Sequence, residues 1–284
     1  MSTRESRLPD PVHITVDGTR VATYVLAPER RAPLGDVVLC HGTPWSSQVW
    51  ADAARHLSSK YRVFLWDMPG YGRSPKDPEV PVDLASQMSR FSQLLACWGL
   101  DRPHVVGHDI GGAVALGAHL FHEREYASLF LWDVMTLDPW GSPFFRLVAD
   151  HVDVFSEMPA PLHTALVKEY IAGAARHQLT ADWVDVLSQP WLGALGQPAF
   201  CRQIAALRTE HTRPIVERLQ QVSCPVTIGW GEQDPWIPVG QAAQLRDLLP
   251  GDPPVITLSD VGHLAPVETP LRVSHALGDW LASA

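Results

Sequence analysis

Three residues that could do chemistry each follow a short apolar run. The first is Asp109, in Val105-Val106-Gly107-His108-Asp109-Ile110-Gly111-Gly112, a strand that runs into glycines opening a helix. This matches the G-x-S-x-G strand-turn-helix pattern with aspartate in the serine position, where a strained turn exposes its central side chain and small neighbours let strand and helix approach. The segment lacks the G-x-G-x-x-G spacing of a dinucleotide fingerprint and does not open the first strand-helix-strand unit. A serine there suits acyl transfer. A carboxylate is ionised at neutral pH without help and suits displacement at saturated carbon, which leaves an alkyl ester on its own side chain.

The other two residues supply what the ester would need next. Val226-Thr227-Ile228-Gly229-Trp230 leads into Gly231-Glu232-Gln233-Asp234-Pro235-Trp236, and Val255-Ile256-Thr257-Leu258 into Ser259-Asp260-Val261-Gly262-His263-Leu264. His263 would activate a water as general base, and Asp234 would fix its tautomer and balance its charge. The chain order is nucleophile, acid, histidine.

These residues must be positioned by a sheet. Val37-Val38-Leu39-Cys40, Val63-Phe64-Leu65-Trp66, His104-Val105-Val106 and Leu129-Phe130-Leu131-Trp132 are short, continuously apolar runs, with helical patterns over residues 82–98 and 110–122 between them. That alternation predicts an α/β fold, a mostly parallel twisted sheet flanked by helices. Two N-terminal strands joined at Asp17-Gly18 add an antiparallel edge pair. Asp109, Asp234 and His263 then share the carboxyl edge, where such sheets bind ligands. Beyond the sixth strand the strand runs stop, and amphipathic stretches such as 161–175 and 200–209 take over. The expected organisation is core 1–137, helical cap 138–215 and core 216–284, closing with a helix over 270–282.

The His41-Gly42-Thr43-Pro44 loop, the Gly-His-Asp-x-Gly-Gly elbow, the Gly-x-x-Asp loop and the Gly262-His263 pair together resemble the α/β-hydrolase superfamily. The resemblance is to its aspartate-nucleophile branch of epoxide hydrolases and haloalkane dehalogenases, and it covers nearly the whole chain. It implies an oxyanion hole made by the backbone N–H groups of Thr43 and Ile110. It also offers Asp133 as a second candidate acid, because some dehalogenases place theirs there; Asp234 is preferred. The Asp67-Met68-Pro69-Gly70-Tyr71-Gly72-Arg73-Ser74 loop is assigned no chemistry.

Several residues depart from the subfamily patterns. Haloalkane dehalogenases usually follow the nucleophile with tryptophan and often supply asparagine from the H-G-N-P loop; here Ile110 and Thr43 stand instead. Fluoroacetate dehalogenases carry arginines just after the nucleophile, and residues 110–116 contain none. Epoxide hydrolases present two cap tyrosines to the oxirane oxygen, whereas the insertion has only Tyr170. Trp140, Trp183, Trp191 and Trp236 could donate indole N–H bonds to an epoxide oxygen or a halide. Trp191, Trp183, Trp236 and Tyr170 are therefore the candidate leaving-group residues. Epoxide opening is preferred to dehalogenation; an ester or lactone hydrolase and a ligand-binding relative without turnover are the alternatives.

Composition sets the outer limits. A net charge of -9 opposes nucleic-acid binding. The expected partner is a small apolar or aromatic substrate plus water. His119, His122 and Glu123 mimic a metal cluster but read as a solvent-facing helix end, so neither metal nor cofactor is expected. Cys40, Cys97, Cys201 and Cys224 show no C-x-x-C spacing and read as buried thiols in a reducing compartment. With no apolar leader and no long apolar run, the expected location is the cytoplasm, without membrane insertion.

Overall fold

In the computed structural model, which describes residues 7–283, β1 (Val12–Val16) and β2 (Thr19–Leu26) form an antiparallel hairpin. Asp17 and Gly18 both take positive φ (49° and 70°), the turn geometry whose twist matches that of the flanking strands. There follow β3 (Asp36–Cys40), α1 (Ala51–Ser58), β4 (Arg62–Asp67), α2 (Leu84–Cys97), β5 (His104–His108), α3 (Ile110–Phe121) and β6 (Ser128–Trp132). After an insertion, β7 (Val226–Gly231) and β8 (Val255–Leu258) complete one eight-stranded sheet in the order β1-β2-β4-β3-β5-β6-β7-β8. β2 pairs antiparallel with β4, and the neighbours from β4 to β8 are parallel.

The centre of the sheet is covered on both faces, so its strands are continuously apolar rather than alternating. Val37, Val63, Val105 and Leu129 are each fully buried. α3 is buried from Ile110 to His119, and Asp83 starts α2 by accepting a bond from the Ser86 N–H.

The insertion is helical: α4 (Pro143–Asp150), α5 (Val152–Ser156), α6 (Ala160–Ala172), α7 (Ala181–Ser188), α8 (Gly193–Ala206) and α9 (Thr209–Val216). α8 starts well before Phe200, where the periodicity places it, because Gly193, Gly196 and Pro198 interrupt the apolar pattern but are tolerated in its first turns. The later core adds α10 (Gly240–Leu248), α11 (Ala265–Glu268) and α12 (Pro270–Ser283). We refer to α4–α9 as the cap, since its residues lie against the carboxyl edge: the Trp191 N–H donates to the Pro44 carbonyl at 2.8 Å, and the His263 backbone N–H to Ala174 at 3.0 Å.

Two sequence expectations fail here. Cys40, Cys201 and Cys224 are buried, but Cys97, the last residue of α2, is exposed. His119 does not face solvent: it is buried and stacked on Tyr126, and its Nε2 accepts from the Ser223 N–H at 3.1 Å. Because the helix end is packed over, its histidine serves as a bridge rather than a surface charge. Among the described residues no helix is long and apolar enough to cross a membrane.

Candidate active site

Asp109 sits between β5 and α3 with φ 54° and ψ −124°, a conformation that costs a non-glycine residue free energy and persists only where its surroundings impose it. The surroundings are tight. A Cβ on Gly107 would lie 2.5 Å from the Gly112 Cα, and one on Gly42 would lie 2.4 Å from the Asp109 Cβ. The β3 loop can therefore approach the carboxylate only with glycine at position 42. The Thr43 backbone N–H then donates to Asp109 Oδ1 at 2.7 Å.

The other oxygen, Oδ2, lies 3.5 Å from His263 Nε2. His263 Nδ1 meets Asp234 Oδ2 at 2.7 Å, while Asp234 Oδ1 accepts from the Trp236 and Ile237 backbone N–H groups at 2.7 and 2.9 Å. One carboxylate oxygen is thus fixed by the loop and the other holds the imidazole. Burial alone would lower the His263 pKa, but the charges of Asp234 and Asp109 on either side raise it well above the ordinary imidazole value. The ring is accordingly charged between two carboxylates at neutral pH.

Asp133 is next to this pair without belonging to it. It is fully buried at positive φ (42°), and its Oδ1 accepts from the Gly231 N–H at 2.8 Å. Burial, followed by repulsion from Asp234, raises its pKa well above the carboxylate range, so it is a neutral acid. A neutral carboxyl cannot balance an imidazolium. Asp234 is the histidine's partner in this arrangement.

A second tier of histidines fixes the loops. His41 Nε2 accepts from the Met68 N–H at 3.0 Å and its Nδ1 donates to the Gly42 carbonyl at 2.8 Å, which ties the β3 loop to the β4 loop. His108, before the nucleophile, donates from Nε2 to the His263 carbonyl at 2.8 Å, and burial drives its pKa down to about 3. Both rings are neutral and act as braces.

The candidate leaving-group residues divide. Tyr170 and Trp236 line, with Asp109, Thr43, Met135 and Phe145, a cavity of about 30 Å³. Trp191 does not: it is fully buried, and its N–H is committed to the Pro44 carbonyl. Trp183 is half-buried and is not among the residues lining that cavity. Trp140 lines it, but its N–H donates to Thr212 Oγ1 at 3.0 Å. Binding of a leaving group by Trp191 and Trp183 is therefore set aside, since one indole is spent as a tether and the other does not line the cavity. Of the two expected oxyanion donors only Thr43 bonds the Asp109 side chain; the Ile110 N–H does not cap it.

Sequence reasoning missed Tyr71 and Gln203. Gln203 of α8 reaches down from the cap, and its Oε1 accepts from Thr43 Oγ1 at 2.7 Å and from the Tyr71 hydroxyl at 2.8 Å. The Tyr71 phenol is pushed above its ordinary pKa by burial and then by the Asp109 charge, so the β4 loop does approach the nucleophile. Its place at the end of a parallel strand was the available signal.

Comparison with known proteins places the chain in a family. The chain is 28% identical over 258 residues to a protein of Pseudomonas savastanoi pv. phaseolicola provisionally named a carbamate hydrolase, RutD, spanning 88% of this chain and 94% of that one. An α/β hydrolase fold protein from Burkholderia ambifaria superposes with a TM-score of 0.91 at 38% identity, over 96% of this chain and 98% of the other. A haloalkane dehalogenase from Bradyrhizobium elkani shares the fold at 18% identity, with a TM-score of 0.80 over 96% and 97% of the two chains. The profile of the alpha/beta hydrolase fold family matches residues 36–270, and the chain belongs to that family, an enzyme of the hydrolase class.

Proposed function

We propose that the protein hydrolyses epoxides through a covalent ester on Asp109. The observation that carries this reading is the division of labour between the two Asp109 oxygens. Oδ1 occupies the Thr43 N–H, where an ester or carbamate substrate would need to place its own carbonyl oxygen. Oδ2 lies 3.5 Å from His263 Nε2, and Asp109 lines the cavity. An oxyanion site filled by the nucleophile's own oxygen suits attack on saturated carbon, and it disfavours the acyl chemistry that the name of the Pseudomonas relative suggests.

In the first step Oδ2 attacks an oxirane carbon, the C–O bond of the ring breaks, and the alkoxide takes a proton. Tyr170 is the donor: it lines the same cavity, and burial, then the Asp109 charge, keep its phenol protonated. The Tyr71 hydroxyl is committed to Gln203 Oε1 at 2.8 Å, so Tyr170 is the one phenol this reading uses. Ester formation removes the Asp109 charge, so the His263 pKa falls; the ring gives up its proton, which by way of solvent restores the Tyr170 phenol, and can then serve as a base.

In the second step His263 Nε2 takes a proton from water, whose oxygen adds to the Asp109 Cγ. The oxyanion forms on Oδ1, already opposite the Thr43 N–H, and collapse breaks the Cγ–Oδ2 bond. The diol leaves with Oδ2, protonated by the imidazolium; the Asp109 carboxyl keeps the water oxygen and passes its remaining proton to His263, which restores the resting pair.

The test is a single turnover of a terminal epoxide in heavy-oxygen water with enzyme in excess. The expected result is an unlabelled diol and label in the Asp109 peptide. Label in the diol alone would make Asp109 a general base and overturn the ester. Halide release from haloalkanes without diol formation from epoxides would move the reading to dehalogenation.

A further inference from the structure

The loop that carries His263 is held at its backbone from three sides. The His263 N–H donates to the carbonyl of Ala174, in the cap segment between α6 and α7, at 3.0 Å. Its carbonyl accepts from His108 Nε2 at 2.8 Å. The third hold is Glu268, half-buried at the end of α11. Its Oε1 accepts from the Gly262 N–H at 3.1 Å, and its Oε2 accepts from the Arg176 N–H at 2.8 Å, with a longer contact to the His177 N–H at 3.4 Å. One carboxylate therefore joins the residue before His263 to the cap segment that receives the His263 N–H. The approach is close: a Cβ on Gly262 would lie 2.5 Å from the Arg176 nitrogen and 2.9 Å from Glu268 Oε1. Asp260 meets the side chains of Arg176 and His177 as well, but at exposed positions, where ion pairs contribute little.

We infer that Glu268 is a positioning residue for His263, one that makes the place of the imidazole depend on the seating of the cap. Its oxygens accept from backbone N–H groups of the loop and of the cap, so it acts through the loop rather than on the substrate. The ring it places lies between two carboxylates, 2.7 Å from Asp234 Oδ2 and 3.5 Å from Asp109 Oδ2. A shift toward one lengthens the contact with the other. Without Glu268 the Gly262 and Arg176 N–H groups lose their acceptor, and the loop moves to find another. The effect on turnover rests on the reading above, in which His263 activates the water of the second step, whereas the clamp rests on the bonds alone. Attack by Asp109 needs no base, so a displaced ring slows hydrolysis of the ester and spares its formation.

Glu268→Ala and the isosteric Glu268→Gln, set against the wild type, test this in two measurements. In single turnovers of a terminal epoxide followed by mass spectrometry, Glu268→Ala should form the Asp109 adduct at close to the wild-type rate and hydrolyse it about a hundredfold more slowly. Glu268→Gln keeps one carbonyl oxygen as acceptor, so its loss should be smaller, about tenfold. Equal losses in the two variants would assign the effect to the charge, which both remove, and equal slowing of both steps would make it merely structural. Either result overturns the proposal, as does wild-type hydrolysis in Glu268→Gln. Without substrate, the nitrogen chemical shifts of the His263 ring, assigned by their absence in His263→Gln, should move in both variants; unchanged shifts overturn the clamp. If Glu268→Ala does not fold, Glu268→Gln decides on both measurements. If the wild type opens no epoxide, the ring shifts still decide, so the epoxide reading and the clamp fail separately.

Discussion

The loops of the sheet edge and the cap above them meet at Asp109 but hold their side chains differently. In the loops, orientation comes from short polar bonds to backbone: the Thr43 N–H on Asp109, the Trp236 and Ile237 N–H groups on Asp234, and the Met68 N–H on His41. Each carboxylate or ring has its position set before substrate arrives, as electrostatic catalysis requires. In the cap, Tyr170 is held by aromatic contacts with Phe144, Phe200 and Trp236, which define a surface but leave its hydroxyl uncommitted. On the proposed reading, ester formation and hydrolysis belong to the edge, while the cap supplies the substrate surface and the Tyr170 hydroxyl. Substitutions in the two regions should fail in different ways.

The largest effects belong to the edge. Asp109→Ala should lower kcat by more than about a thousandfold with the fold retained. A well-folded variant keeping above about a hundredth of wild-type kcat would remove Asp109 as nucleophile. His263→Gln should allow the first step and stall the second. Mass spectrometry should then find the enzyme heavier by the substrate, on the Asp109 peptide.

Asp234→Asn and Asp133→Asn set two neighbouring carboxyls against each other. The first removes the charge that faces the imidazole, and about a ten-thousandfold loss of kcat is expected. The second exchanges a neutral acid for a neutral amide of similar shape, so kcat should stay within about tenfold of wild type, or about 1.4 kcal/mol. The reverse ranking in steady-state assays would transfer the role to Asp133.

The raised His263 pKa also has a stability consequence. A folded-state pKa above the unfolded value contributes stability that is complete below the unfolded pKa and is lost as pH rises through the folded one. The denaturant midpoint of the wild type should therefore exceed that of His263→Gln most clearly on the acid side of neutrality, with the gap narrowing toward alkaline pH. A gap that widens with pH would mean that the ring is neutral between its carboxylates. A smaller catalytic effect is expected in the cap: Tyr170→Phe should lower epoxide turnover by about ten- to a hundredfold through loss of the proton donor while keeping the apolar area.

The contrast between regions also explains what could be read from sequence. The strands are apolar runs because both sheet faces are covered, and the motif residues follow strand ends, so the sheet, Asp109, Asp234, His263 and Thr43 were visible in local patterns. Tyr71 and Gln203 were not, because their roles depend on a contact between a core loop and α8, 132 residues apart in the chain. The neutral state of Asp133 is likewise invisible locally, since it follows from burial beside a second carboxylate. Trp191 illustrates the same point from the cap: composition marks it as a donor, but only packing reveals that its N–H already has an acceptor.

That residue gives the smallest and most discriminating test. Trp191 is fully buried on the Tyr71 ring, and its N–H donates to the carbonyl of Pro44, next to the residue that holds Asp109 Oδ1. Trp191→Phe keeps an aromatic ring in the site but leaves the Pro44 carbonyl buried without a donor, at a cost of about 1–3 kcal/mol. At about 2–4 °C per kcal/mol for a chain of this size, thermal unfolding should shift down by several degrees. If the indole is a tether, Tm falls while the KM for epoxides and their kcat stay close to wild type. If it binds the leaving oxygen instead, kcat falls and Tm is preserved. Calorimetry and kinetics on this one variant therefore separate a residue that joins cap to core from one that takes part in the reaction.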